Sequence, residues 1–165
     1  MNADYIENII RNIEDQSYRC ILIDGAWGIG KSYMVEKALE DLKGRTCFVS
    51  LFGMDNAQQI YHEILFQLFF QTPDGGKMVK WLRDATKFLG NFNWKAKTIN
   101  TVLESRFSEQ DAVVILSRRF ETKHVIVIDD LERCENNLSL REVFGVVEAL
   151  KQCNRHLFVI QSLPR

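Results

Sequence analysis

Residues 25–32 read Gly-Ala-Trp-Gly-Ile-Gly-Lys-Ser, and no other segment constrains this chain as strongly. They follow a short apolar run, Cys20-Ile-Leu-Ile-Asp24, which ends at a glycine turn and reads as a buried strand. They precede a stretch from Lys31 to Leu42 in which Met34, Val35, Ala38 and Leu42 recur at helical spacing. Strand, glycine turn and helix in that order fit G-x-x-x-x-G-K-[ST] at every fixed position, in the setting the pattern requires. The spacing has a physical reason. Glycines let the backbone curl around a polyanion and aim successive N–H groups at its oxygens. The helix opening near Lys31 adds the positive end of its dipole. Gly25, Ala26, Trp27, Gly28, Ile29, Gly30, Lys31, Ser32 and Tyr33 are therefore the expected nucleotide-binding residues. Lys31 is expected to reach the β- and γ-phosphates, and the Ser32 hydroxyl to ligate Mg²⁺.

The rest of the chain alternates in a compatible way. Ile6, Ile9, Ile10 and Ile13 mark a helix with Asp4 as its cap, and Gly44 is the expected stop of the helix from Lys31. Thr46 to Phe52 reads as a second strand closed by Gly53. Gln58 to Gln71 and Met78 to Leu89 read as amphipathic helices, and Asp111 to Arg119 as a helix, although Val113–Leu116 would also suit a strand. His124-Val-Ile-Val-Ile-Asp-Asp130 is a buried strand ending in two acids. Ser139-Leu-Arg-Glu142 is a capping box ahead of a helix with Val143, Phe144, Val147 and Leu150 inward. Leu157–Ile160 is a fourth strand. Near-continuous apolar strands separated by amphipathic helices predict an α/β fold, a mostly parallel sheet with helices on both faces. The whole of 1–165 is expected to be one domain, with a helical insert at about 72–122.

The two acids supply the second half of a site. A buried strand that ends in an acid places a carboxylate at the C-terminal edge of the sheet, where doubly wound folds bind ligands. Asp129 is expected to hold Mg²⁺ through water, opposite Ser32. Asp130 occupies the position of the residue that orients an attacking water, with Glu132 as the fallback for that role. Lys31, Asp130 and Glu132 are thus the catalytic candidates, and Ser32 and Asp129 the metal ligands.

Composition excludes other classes. Lys and Arg number 21 against 22 Asp and Glu, a net charge of −1, so no global basic excess draws the chain to nucleic acid or anionic lipid. Hydrophobic residues at 46% are enough to bury a core, which removes disordered and low-complexity readings. Cys20, Cys47, Cys134 and Cys153 form no C-x-x-C pair, and His62, His124 and His156 fall at no metal-ligand spacing. The longest apolar stretch, Ile60 to Phe70, is broken by His62, Glu63 and Gln67 and falls short of the about 18 residues of a membrane span. An early acidic N-terminus without an apolar stretch is unlike a secretion signal, so a cytoplasmic location is expected.

With G-A-W-G-I-G-K-S, then C-F-V-S-L-F-G, then V-I-V-I-D-D-L-E-R-C, the chain resembles the KAP family of P-loop NTPases. Members often show G-x-W-G-x-G-K-S and I-D-D-L-D-R-C; they include a plasmid-encoded phage-exclusion protein and an animal neuronal scaffold, close to the STAND class of signalling ATPases. The resemblance covers Gly25 to about Phe52 and His124 to Cys134 well. It implies an additional-strand P-loop fold, ATP with Mg²⁺, a role in regulation or phage defence, and Lys31, Ser32, Asp129 and Asp130 in the roles just derived. The implied strand order is about 2-3-4-1, the strand at 157–161 lying between those at 20–24 and 124–129. Three departures accompany it. Many relatives carry membrane helices between the two motifs, but 72–122 is too polar for one. Glu132 stands where Asp is commoner. A fifth strand and a lid would follow Arg165, so a fragment of a longer ATPase is expected.

Other residues carry two readings each. Trp27 would stack on a nucleotide or pack on neighbouring helices. Gln161 and Ser162 would sense the γ-phosphate or simply close a strand. Arg118, Arg119, Arg133 and Arg155 would act as arginine fingers or as surface charges, Arg133 pairing with Glu132 or Glu135. Trp81, Phe88, Phe92 and Trp94, with Lys77, Lys80, Lys87, Lys95 and Lys97 among them, would form a nucleic-acid platform or an ordinary amphipathic face. The leading expectation is a slow ATPase that uses nucleotide as an assembly switch, through self-association or a protein partner. The alternatives are a nucleotide-binding module without turnover and a small-molecule kinase. No N-K-x-D-like guanine reader is present, which favours ATP.

Overall fold

The apolar runs and amphipathic stretches resolve into four strands and five α-helices among the described residues. In this computed structural model those residues are 3–13, 19–71, 108–119, 124–134, 138–153 and 156–163. Helix α1 spans Ala3–Arg11, β1 Cys20–Ala26 and α2 Lys31–Ala38, followed by a 3₁₀ segment at Glu40–Arg45. β2 (Thr46–Ser50) leads to α3 (Ala57–Gln71). Then come α4 (Glu109–Arg119), β3 (Val125–Asp129), a 3₁₀ turn (Leu131–Arg133), α5 (Leu140–Gln152) and β4 (His156–Leu163).

All pairings are parallel and the order is β1-β4-β3-β2, so β4 lies between β1 and β3 as the resemblance implies. β1, whose apolar run reads as a buried strand, is at the edge of the described sheet and leaves Leu22 54% exposed, with Ile23 its one buried residue. Parallel strands are covered on both faces where crossover helices pack. Successive residues of the two central strands divide accordingly. Val125, Val127, Phe158 and Ile160 join Ile10, Ile13, Ile23, Val35 and Ala38 under α1 and α2. Ile126, Ile128, Leu157 and Val159 join Cys47 and Val49 under α3, α4 and α5. None of these eight central-strand residues is more than 1% exposed. At about 1.5–3 kcal/mol for each buried side chain, this pair of strands anchors the domain.

β2 is an edge, and α3 protects it. The Gln67 side chain accepts from the Phe48 N–H at 2.9 Å and donates to the Phe48 carbonyl at 2.6 Å, occupying groups that another strand would otherwise pair. Glu63 holds that amide at 2.7 Å. Two of the polar residues that interrupt the apolar stretch in the sequence therefore serve the sheet edge.

Local expectations hold with instructive exceptions. α1 begins at Ala3, so Asp4 lies inside the first turn instead of capping it. α2 ends at Ala38, not Leu42: Leu39 (φ −94°, ψ 9°) and Leu42 (φ −106°, ψ 15°) leave helical geometry. The Leu42 N–H bonds the Leu39 carbonyl at 2.9 Å, and the Thr46 hydroxyl the Leu42 carbonyl at 2.9 Å. The tighter winding turns Leu39 into the core and delivers the chain to β2. The segment around Val113–Leu116 is helical. Ala112, Ile115 and Leu116 are buried while Val114 is 41% exposed, a helical rather than alternating pattern. On α5, Val143, Val146, Val147 and Leu150 face the core, and Phe144, expected inward, is 50% exposed. A 3.6-residue period favours Val146 over Phe144 beside Val143.

The capping box is formed. Ser139 Oγ accepts from the Glu142 N–H at 3.2 Å, and the Ser139 N–H donates to Glu142 Oε2 at 2.8 Å. Ser139→Ala is expected to remove about 1 kcal/mol and lower the thermal midpoint by about 3 °C. Far-ultraviolet circular dichroism melts of the two chains check this.

The helix expected at Met78–Leu89, the aromatic and lysine stripe, most of the expected insert and Arg155 lie outside the described residues. No helix among the described residues is long and apolar enough to cross a membrane.

Candidate functional site

Strand β1 runs into the glycine loop without a break, and the loop ends as α2 begins at Lys31. Two glycines make that turn possible. Gly28 has φ 80° and Gly30 φ 86°, a left-handed conformation costly for any residue with a Cβ. Gly30 is the residue before the helix, and its carbonyl accepts the N–H of Met34 at 2.9 Å. Nothing lies within 4 Å of the positions a Cβ would take on Gly28 and Gly30, so the loop's outer side is open.

The Lys31 side chain is only 7% exposed. Its Nζ donates to the carbonyls of Gly25 (3.0 Å) and Ala26 (2.9 Å). An ammonium has three protons, so two bonds leave one for a further acceptor. Its neighbours do not bury the loop: Trp27, Ile29 and Tyr33 are 54%, 64% and 69% exposed.

The acids at the end of β3 lean in different directions. Asp129 is half-buried, and its Oδ1 accepts from the Asp130 N–H at 2.7 Å. Asp130 has φ 60° and ψ 37°, left-handed and outside glycine the one such case among the described residues. Short polar side chains tolerate that conformation best, and such outliers gather at functional sites. Its Oδ2 accepts from the Ser50 hydroxyl at 2.7 Å, which ties it to the end of β2. Glu132 leans the other way, over β4, where its Oε2 accepts from the Ser162 N–H at 2.9 Å. Partial burial alone would raise the Glu132 carboxyl. The bonds from the Ser162 and Glu132 amides and the Ser162 hydroxyl, with the Lys31 charge, outweigh it and hold the group below the ordinary carboxylate value.

β4 brings these halves together. Asp24 and Gly25 pair in register with Gln161 and Ser162, so both strand-end residues lie beside the start of the glycine loop. Ser32 is the second residue of α2, and it is exposed. Arg133 joins the loop to the acids. Its Nε is 3.5 Å from Asp130 Oδ1, so its partner is Asp130 and not Glu132, and Glu135 lies outside the described residues. Its guanidinium carbon sits 5.5 Å from the Trp27 ring centroid and 5.6 Å from that of Phe52. Trp27 thus meets a cation, where packing on neighbouring helices was one of its two expected settings. Arg118 and Arg119 close α4.

Sequence reasoning missed Ser50 and Phe52. Both sit in the C-F-V-S-L-F-G run that supported the resemblance, but a lone serine at a strand end has no pattern that marks it. No group of three or more His, Cys, Asp or Glu able to hold a metal occurs among the described residues.

No curated protein matches the chain significantly. The sequence profile of the KAP family P-loop domain matches residues 2–162. With that match spanning nearly the whole chain, and with the glycine loop, β3 acids and parallel sheet order in place, this chain belongs to the KAP family of P-loop NTPases.

Proposed function

We propose that this chain binds Mg·ATP in the Gly25–Ser32 loop and hydrolyses it slowly, nucleotide occupancy acting as an assembly switch in a regulatory or phage-defence protein. The observation that carries the reading is the buried Lys31 ammonium, held by the carbonyls of Gly25 and Ala26 in a loop whose left-handed glycines, Gly28 and Gly30, leave its outer side open. A buried cation with a spare proton beside unobstructed backbone suits a polyphosphate.

The donor set suits Mg²⁺ as well. A hydroxyl from Ser32 and a carboxylate from Asp129 are hard oxygen ligands, and this ion takes one or two protein groups together with phosphate oxygens and water. When bound, the ion would neutralise charge building on the phosphates. Lys31 then bonds the β- and γ-phosphates, using its free proton and giving up one of its two loop carbonyls. Asp130 orients a water and takes its proton as the oxygen attacks the γ-phosphorus, while the bond to the β–γ bridging oxygen breaks and ADP leaves. Asp130 directly follows the β3 strand end, which supports it for this role, while Glu132 bonds the Ser162 amide and fixes the end of β4 beside the loop.

The adenine preference rests on the sequence, which has no N-K-x-D-like guanine reader. Calorimetric titration of the full chain with Mg·ATP tests the reading, with phosphate release followed in parallel. Saturable heat and release above background are expected. No heat from well-folded material overturns the site. Affinity with background release instead selects a switch without turnover, and transfer of the γ-phosphate to an added acceptor selects a kinase.

A further inference from the structure

Three loops converge on Arg133. Its Nε lies 3.5 Å from Asp130 Oδ1, its backbone N–H bonds the Asp130 carbonyl at 2.8 Å, and its guanidinium covers Trp27 of the glycine loop and Phe52 after β2. The two rings stay 54% and 64% exposed, so their partner here is a cation and not the core. Asp130 is fixed from a second side by Ser50, whose Oγ also accepts the Phe52 N–H at 3.2 Å. The glycine loop, the end of β2 and the acid after β3 are therefore joined through one planar group.

We propose that Arg133 is a positioning residue for hydrolysis: it sets the Asp130 carboxylate against the phosphate loop by clasping Trp27 and Phe52. A guanidinium suits the task, since its flat faces lie on aromatic rings while its edge pairs with a carboxylate. The same cation is thereby directed into its own chain, in contrast to a finger offered to a neighbouring subunit. The effect on turnover rests on the hydrolysis proposed above; the coupling itself does not.

The experiment uses the full chain and two readouts. Emission of Trp27 is isolated by subtracting the spectrum of Trp27→Phe, and its quenching by acrylamide is measured without nucleotide. Arg133→Ala is expected to raise the quenching constant about twofold as the ring loses its cover. Asp130→Asn is expected to raise it too, because the guanidinium loses its anchor; a pair that merely stacks at the surface would not respond. In steady state, Arg133→Ala is expected to lower kcat about tenfold with KM for ATP within about threefold. Arg133→Lys recovers little of this, because an ammonium cannot lie flat on both rings. Phe52→Ala gives a loss similar to that of Arg133→Ala, Phe52→Tyr restores turnover, and the Arg133→Ala/Phe52→Ala double variant is no worse than either single one. Quenching that ignores Asp130→Asn, a wild-type kcat in Arg133→Ala, or a loss confined to KM each overturns the proposal. If the wild type releases no phosphate, hydrolysis fails as a reading, and the quenching comparison alone decides the coupling.

Discussion

Lys31→Ala is expected to weaken Mg·ATP binding by about 100-fold or more, enough to remove the calorimetric signal at micromolar protein. A hydrogen bond to a charged group contributes about 1.5–3 kcal/mol, and each 1.4 kcal/mol is about a factor of ten in affinity. Lys31 is expected to bond two phosphates, and it lies in a loop where water competes poorly because the side chain is only 7% exposed. The substitution also strips the Gly25 and Ala26 carbonyls of their donor. That loosens the loop without opening the core, since Lys31 belongs to neither apolar cluster. Circular dichroism on the same sample separates the two effects. A folded Lys31→Ala chain that binds Mg·ATP with wild-type heat would refute the assigned site.

Asp130→Asn is expected to leave nucleotide affinity within about threefold and to lower phosphate release by about 100- to 10,000-fold, the range that a positioned general base supplies. Asparagine is the conservative choice for a structural reason. The residue sits at φ 60°, which asparagine tolerates as well as aspartate does, and its amide oxygen can still accept from the Ser50 hydroxyl at the place where 2.7 Å separates the pair now. The variant therefore keeps the turn and loses the charge and the basicity. Single-turnover assays with matched ATP occupancy measure the consequence. Unchanged phosphate release would move the water-orienting role to Glu132, to be read from Glu132→Gln in the same assay.

Much of this site was legible because its pieces are contiguous. Gly25–Ser32 encode a turn whose left-handed glycines at 28 and 30 follow from spacing alone, and Ser139 with Glu142 encode a helix start in four residues. The burial of Val125–Ile128 follows from an unbroken apolar run. Where local pattern misled, a neighbour had decided. Phe144 looked as apolar as Val146, yet only one can share a face with Val143 and Val147. The turn after Ala38 was hidden because nothing within the segment announces that the chain must reach β2 there. Ser108 and Asp111, which cap α4 reciprocally at 3.1 and 3.2 Å, were legible in principle and overlooked, because a serine followed three residues later by an acid is common in loops.

Sequence by itself determined that a glycine loop opens a helix, that β3 ends in acids, and that the central strands are buried on both faces, since each depends on residues adjacent along the chain. The strand order came from the family resemblance and not from periodicity. Tertiary structure alone decided which way each acid leans: Asp130 toward Ser50, 80 positions away, and Glu132 toward Ser162, 30 positions away. It also placed Arg133 between Trp27 and Phe52 and laid Gln67 along the edge of β2. Such pairings form only when a parallel sheet brings distant strand ends to one edge, a placement that short-range spacing does not encode.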